Sequence, residues 1–225
     1  RHLVLLSRRG GETPGVDQLR SQLATAGAEV RVLVCDVTDR DAVAAVLATI
    51  DAEMPALRGI IHAAMVIDDG LISDLDATRI DAVFAPKVLG AMHLDQLTRE
   101  AVLDFFVVYS SATTTFGNPG QASYVAANRF LEYLVERRRT EGLPGLAVSW
   151  GPLKDVGYLS RNQAVGEALE SRLGGRSLTA EQALESLGEL LLADHSGVAV
   201  LNFDWGRLRR SLPASASTRF VALET

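Results

Sequence analysis

From residue 110 to residue 128 the chain reads Ser-Ser-Ala-Thr-Thr-Thr-Phe-Gly-Asn-Pro-Gly-Gln-Ala-Ser-Tyr-Val-Ala-Ala-Asn. The serine pair closes an apolar run, Phe105-Phe106-Val107-Val108-Tyr109, whose aromatic and β-branched content suits a buried strand. After a turn-rich loop, a helix carries Tyr124 and Asn128 four residues apart, on one face. A hydroxyl at a strand end and a phenol on the next helix can both point at one small substrate. Two donors to one oxygen, one of them able to give up its proton, is what reduction of a carbonyl needs. A tyrosine, with a pKa of about 10, needs help to act near neutrality, and a nearby cation is the obvious help.

Lys87 is the candidate cation. Ile80, Val83, Phe84 and Lys87 fall at i, i+3, i+4 and i+7, which sets a lysine in line with an apolar stripe. Its charge must find a partner or neutralise. Pro86 cannot donate to the carbonyl of Ala82 and should kink the helix beside it. The competing reading is a lysine that snorkels from the edge of the stripe.

The elements that must position these groups alternate along the chain. Strands are expected at 2–7, 29–34, 59–64, 104–110, 146–150 and 198–203. Helices are expected at 16–26, 41–52, 75–99, 120–139 and 180–193. This alternation implies right-handed crossovers and an α/β fold of the Rossmann-like, doubly wound kind: a mostly parallel sheet with helices on both faces. Ligands of such sheets bind at the carboxyl ends of the strands. Ser7-Arg8-Arg9, Asp36, His62, Ser110-Ser111 and Gly151-Pro152 all gather there, which argues for one shared site. The segment 213–218 reads as a linker, so the domain is expected to span 1–212, with a tail at 213–225.

Composition narrows the partners. The chain has 225 residues, near the upper end for one domain, and a net charge of −6, which gives no reason to expect nucleic acid or an anionic membrane. No apolar run approaches the roughly 18 residues of a membrane span. The single Cys35 rules out an internal disulfide and suits a reducing, cytoplasmic location; it reads as a small apolar residue at a strand end. No bound metal is expected.

The chain resembles the ketoreductase domains of polyketide synthases, a branch of the short-chain dehydrogenase/reductases. The resemblance rests on Leu3 to Gly10, Cys35 to Asp39, Gly59 to Ala64, Pro86 to Ala91, Phe105 to Asn128 and Ser149 to Pro152. It implies that Tyr124 donates the proton, that Ser111 holds the substrate carbonyl, and that Lys87 and Asn128 complete a tetrad. It implies NADPH as cofactor. Ser7, Arg8 and Arg9 would read its ribose phosphate, with Arg8 first and Arg9 second; a solvated basic turn is the alternative. Asp36 and Val37 would border the adenine, although Asp36 or Thr38 could simply cap a helix. His62, Ala63 and Ala64 would flank the ribose, and Gly151, Pro152 and Leu153 would complete the cofactor wall. The partners implied are an acyl carrier protein bearing a β-ketoacyl chain and other domains of one synthase. A free-standing 3-oxoacyl-thioester reductase and a catalytically inert structural domain remain as alternatives.

Three features refine that picture. No Gly-x-Gly-x-x-Gly precedes Ser7, where the family has one more strand and a phosphate-binding turn. The fold is therefore expected to lack its first strand and that turn, and these residues alone to bind NADPH poorly. Met65 stands where the family usually has glycine, either crowding the cofactor or filling a gap with a flexible thioether. Ile67-Asp68-Asp69 resembles the Leu-Asp-Asp of B-type ketoreductases, and Phe116 stands where A-type members carry tryptophan. Asp69 and Phe116 thus point to a D-configured hydroxyl. Residues 158–175 are expected to form a lid, partly helical over 162–173.

Overall fold

The computed structural model describes residues 1–173 and 177–211; the tail expected at 213–225 and the end of the lid lie outside the described residues. The strands are β1 (His2–Ser7), β2 (Glu29–Val34), β3 (Gly59–His62), β4 (Phe105–Ser111), β5 (Leu146–Trp150) and β6 (Val198–Val200). All observed pairings are parallel, as expected. They fall into two hydrogen-bonded groups, β1-β2 and β3-β4-β5-β6, rather than one continuous sheet. One core nevertheless joins them, since Val4 and Leu6 of β1 pack in the cluster that holds Ile60 of β3.

The alternation along the central strands explains the layers. Phe106 and Val108 of β4 and Ala147 of β5 turn to one face. There they meet Leu131, Leu134 and Val135 of helix α6 (Ala122–Thr140) and Ala91 and Leu94 of α4 (Gly90–Leu97). Val107, Leu146, Val148 and Trp150 turn to the other face, against Ala183 and Leu187 of α9 (Ala180–Leu192). Strands covered on both faces are apolar at nearly every position; in β4 and β5 the run is broken only by Ser110, Ser111 and Ser149, towards their carboxyl ends.

Caps fix the helix starts. Asp39 accepts from the amides of Asp41 and Ala42 and so opens α2 (Arg40–Glu53). The cap expected at Asp36 or Thr38 therefore falls one to three residues later. Asp36 instead accepts from both the amide and the hydroxyl of Thr38, in a local turn. Thr179 and Gln182 form a reciprocal capping box on α9. The three arginines in the last turn of α6 complement its dipole. Residues 16–25 form α1, which packs on β2.

The helix expected from 75 to 99 is interrupted. It runs as α3 (Ala77–Phe84), then a π-helical turn (Ala85–Leu89), then α4. Pro86 has no amide to donate, so the expected kink takes the form of a widened turn. Two short helices come without a periodic signal: α5 (Thr113–Phe116), directly after β4, and α10 (Trp205–Ser211). The lid segment is helical as expected, in two pieces, α7 (Gly157–Arg161) and α8 (Gln163–Leu173).

Candidate active site

A cavity of about 640 Å³ opens at the carboxyl ends of β3, β4 and β5. Lys87, Ser111 and Tyr124 line it together, from three different elements. Asn128 lies behind them, fully buried one turn along α6 from Tyr124.

The π-helical turn delivers Lys87. The side chain is 2% exposed, and its ammonium donates to the carbonyl of Tyr109 at 3.0 Å. It stands 5.4 Å from the centre of the Tyr124 ring. Burial lowers its pKa from 10.5 to about 8, so it is still charged at neutral pH. One of its three donors is thus used inside the protein, which leaves others for a ligand. The snorkelling alternative is excluded by this burial.

Ser110 and Ser111 diverge, as neighbours on a strand must. Ser111 Oγ accepts from the hydroxyl of Thr113 at 3.0 Å and its amide at 3.3 Å. Its own proton is then free to be donated outward. Thr113 gave no sequence signal, because a threonine run after a strand is uninformative until its turn is seen.

Burial raises the pKa of the Tyr124 phenol, while the nearby Asn128 amide and Ser111 hydroxyl favour the ionised form less strongly and Asp69 opposes it. The help for ionisation expected from Lys87 is not among these influences. Asn128 donates to the Tyr124 carbonyl at 2.8 Å. Its side-chain oxygen is buried and has no partner among the described residues.

The remaining predicted residues divide. Ala63, Gly151, Pro152, Leu153, Asp69 and Phe116 line the cavity. Asp69 accepts from Gln121 at 2.9 Å, and the amide of Gly70 donates to the carbonyl of Gly120 at 2.8 Å. These two bonds tie the loop after β3 to the start of α6. Arg79 holds the same loop by donating to both oxygens of Asp68 and to the carbonyls of Asp69 and Asp74. Phe116 packs edge-on against Phe203 at 5.6 Å, in an apolar cluster with Leu169 of α8. Met65 lines the cavity and is 36% exposed, where it can both fill space and touch a ligand.

Ser7, Arg8, Arg9, Asp36, Val37, His62 and Ala64 lie outside the cavity lining. Ser7 shares a 2.6 Å hydrogen bond with Thr13, so its hydroxyl is engaged by the following turn. Arg8 and Arg9 are exposed at the end of β1. The charge of Arg8 helps hold Asp36 below the usual carboxylate range, after the two hydrogen bonds from Thr38. Val37 and His62 pack instead under Gly90, where a Cβ would come within 2.9 Å of Val37 and 3.0 Å of His62. His62 is 3% exposed, and its Nε2 lies 3.3 Å from the carbonyl of Lys87. Burial first, then the charge of Lys87, lowers its pKa from 6.5 to about 4, so it is neutral and donates to that carbonyl.

A dinucleotide fits this arrangement at its two ends. The unused donors of Lys87 suit ribose hydroxyls, and the exposed guanidinium of Arg8 suits a phosphate, whereas the unpartnered Asn128 oxygen is buried behind the cavity wall.

A family model described as the KR domain matches residues 1–155. "Phenolphthiocerol synthesis polyketide synthase type I Pks15/1" of Mycobacterium marinum is 44% identical over 196 residues, which is 87% of this chain and 9% of that protein. "Polyketide synthase GfsA" of Streptomyces halstedii is 41% identical over 216 residues, 96% of this chain and 3% of that one. The chain thus spans less than a tenth of the length of either relative. A solved structure titled "Structure of A-type Ketoreductases from Modular Polyketide Synthase" superposes with a TM-score of 0.90 at 36% identity, covering 99% of this chain and 47% of that one. With a parallel α/β fold, a lysine, serine and tyrosine around one cavity, and these relatives, the chain belongs to the KR family, the ketoreductase domains of polyketide synthases.

Proposed function

We propose that this chain carries the reducing site for a β-ketoacyl thioester borne on an acyl carrier protein, with NADPH as reductant and other domains of one synthase as neighbours. The observation that supports this most is the convergence of Lys87, Ser111 and Tyr124 on one cavity, with Asn128 behind them. NADPH supplies the hydride. Ser111 and Tyr124 hydrogen-bond the ketone oxygen and stabilise the alkoxide as it develops. Tyr124, protonated through neutral pH because burial raises its pKa, gives that oxygen its proton. Lys87 holds a positive charge beside the phenol and offers donors to the cofactor ribose. Asn128, with one free acceptor, supports a water or the lysine. Arg8 is the first choice for the 2′-phosphate and Arg9 the second. The apolar wall of Phe116, Val165, Leu169 and Phe203 suits an acyl chain.

Tyr124→Phe in the complete domain should lower kcat by at least about a hundredfold while NADPH affinity stays within a few-fold. Turnover that survives the change sinks the assignment.

The product is proposed to carry the D-hydroxyl, from Asp69 at the cavity wall and phenylalanine rather than tryptophan at position 116. The opposite hand is favoured by the titles of two structural neighbours, one called A-type and one A1-type. Chiral separation of the alcohol decides between them: the D-product is expected, and a predominance of the L-product rejects the B-type reading.

A further inference from the structure

Glu132 lies on the same face of α6 as the residues proposed to act, since Tyr124, Asn128 and Glu132 follow at i, i+4 and i+8. It is 5% exposed and lines no part of the substrate cavity. Its Oε1 accepts from the hydroxyls of Ser110 at 2.6 Å, Thr114 at 2.7 Å and Ser149 at 2.8 Å. Its Oε2 accepts from Arg129 at 2.6 Å. Three elements therefore meet on one carboxylate oxygen: β4, β5 and the turn of α5.

The bonded residues matter by their neighbours. Ser110 precedes Ser111, and Thr114 follows Thr113, the residue that fixes the Ser111 hydroxyl. Thr114 Oγ1 also stands 2.9 Å from the Ser111 carbonyl. Burying a carboxylate is costly unless donors surround it, and an apolar side chain would anchor this helix at less expense. A hub of hydroxyls instead permits one register of α6 against the strand ends, because any other leaves buried polar groups unpaired.

We propose that Glu132 is a positioning residue for the reduction, locking α6 to the ends of β4 and β5 so that the Tyr124 phenol meets the Ser111 hydroxyl. This rests on the function proposed above.

The test compares variants of the complete ketoreductase domain. Thr114→Val removes the tie beside Ser111; Thr98→Val removes a buried hydroxyl bond of 2.6 Å at the far end of α4 and controls for lost stability. Thr114→Val is expected to lower kcat about tenfold with the KM for NADPH within about twofold, whereas Thr98→Val leaves kcat unchanged at a similar melting temperature. Glu132→Gln, which keeps an acceptor oxygen, is expected to retain far more kcat than Glu132→Leu. A second readout needs no turnover: titration of ¹³C-labelled Tyr124 should shift in Thr114→Val and not in Thr98→Val. If Thr114→Val behaves as Thr98→Val in both kinetics and titration, the positioning role is overturned. If the wild-type domain reduces no β-ketoacyl thioester, the functional reading fails, and the tyrosine titration still decides the role of Glu132.

Discussion

At the scale of single residues, the site is held by side chains that touch no substrate. His62 illustrates this. Its N–H reaches the carbonyl of Lys87 inside a turn whose hydrogen bonding is irregular. Replacing it by leucine leaves that carbonyl short of a donor and should cost about 1–2 kcal/mol of stability, with a fall in kcat/KM because the lysine loses its fixed position. His62→Gln, which can still donate, should recover most of both. Thermal melts and steady-state kinetics check this, and a leucine variant with unchanged kinetics would remove His62 from the argument. That Tyr124, Ser111 and Lys87 come together was legible in the sequence, from a strand end, a helix face and a lysine in an apolar stripe, while the roles expected of them came from the family resemblance. Thr113 and Glu132 were not legible. Their importance lies in which hydroxyl meets which acceptor, and that depends on the turn of α5, a four-residue helix of three threonines and a phenylalanine with no helical period to read.

At the scale of elements, strands were read almost to the residue where both faces are covered, as at Leu146–Trp150, because burial on both sides enforces an apolar run that only Ser149 interrupts there. The helix from 75 to 99 was read as one piece, because periodicity over a long window averages out a single extra residue per turn. That widened turn carries Lys87, which lines the cavity. Deleting Val88 should convert Ala85–Leu89 to ordinary α-helix and rotate the preceding residues by about 100° relative to α4. Lys87 would then leave the cavity. Loss of reduction by at least about a hundredfold is expected, with the domain still folded by circular dichroism. An active deletion variant would show that the π turn is incidental.

At the scale of the whole molecule, the buried histidine makes stability depend on acid. The pKa of His62 falls from 6.5 to about 4 on folding, so between those values the unfolded chain binds the extra proton. The contribution is fully present above about pH 6.5 and is lost as pH falls through about 4, on the order of 3 kcal/mol. Glu132 continues the trend at lower pH: burial alone would raise its pKa, but its hydrogen bonds from Ser110, Thr114, Arg129 and Ser149 hold it below the usual range. Denaturant titrations of the complete domain at pH 7 and pH 4.5 should differ accordingly, and His62→Gln should flatten the upper part of that dependence. A wild-type curve that does not change over this interval contradicts a neutral buried histidine.

The division of the strands into two groups has a consequence for assembly. Among the described residues β1 pairs only with β2, and β3 only with β4. Each therefore offers a row of backbone donors and acceptors that no strand has taken up, with Leu3 at 40% and Ile61 at 52% exposure beside them. Such edges recruit whatever strand arrives first. A strand laid along either edge, from this protein or another, would find backbone partners ready, and one laid along both would make the two groups a single sheet.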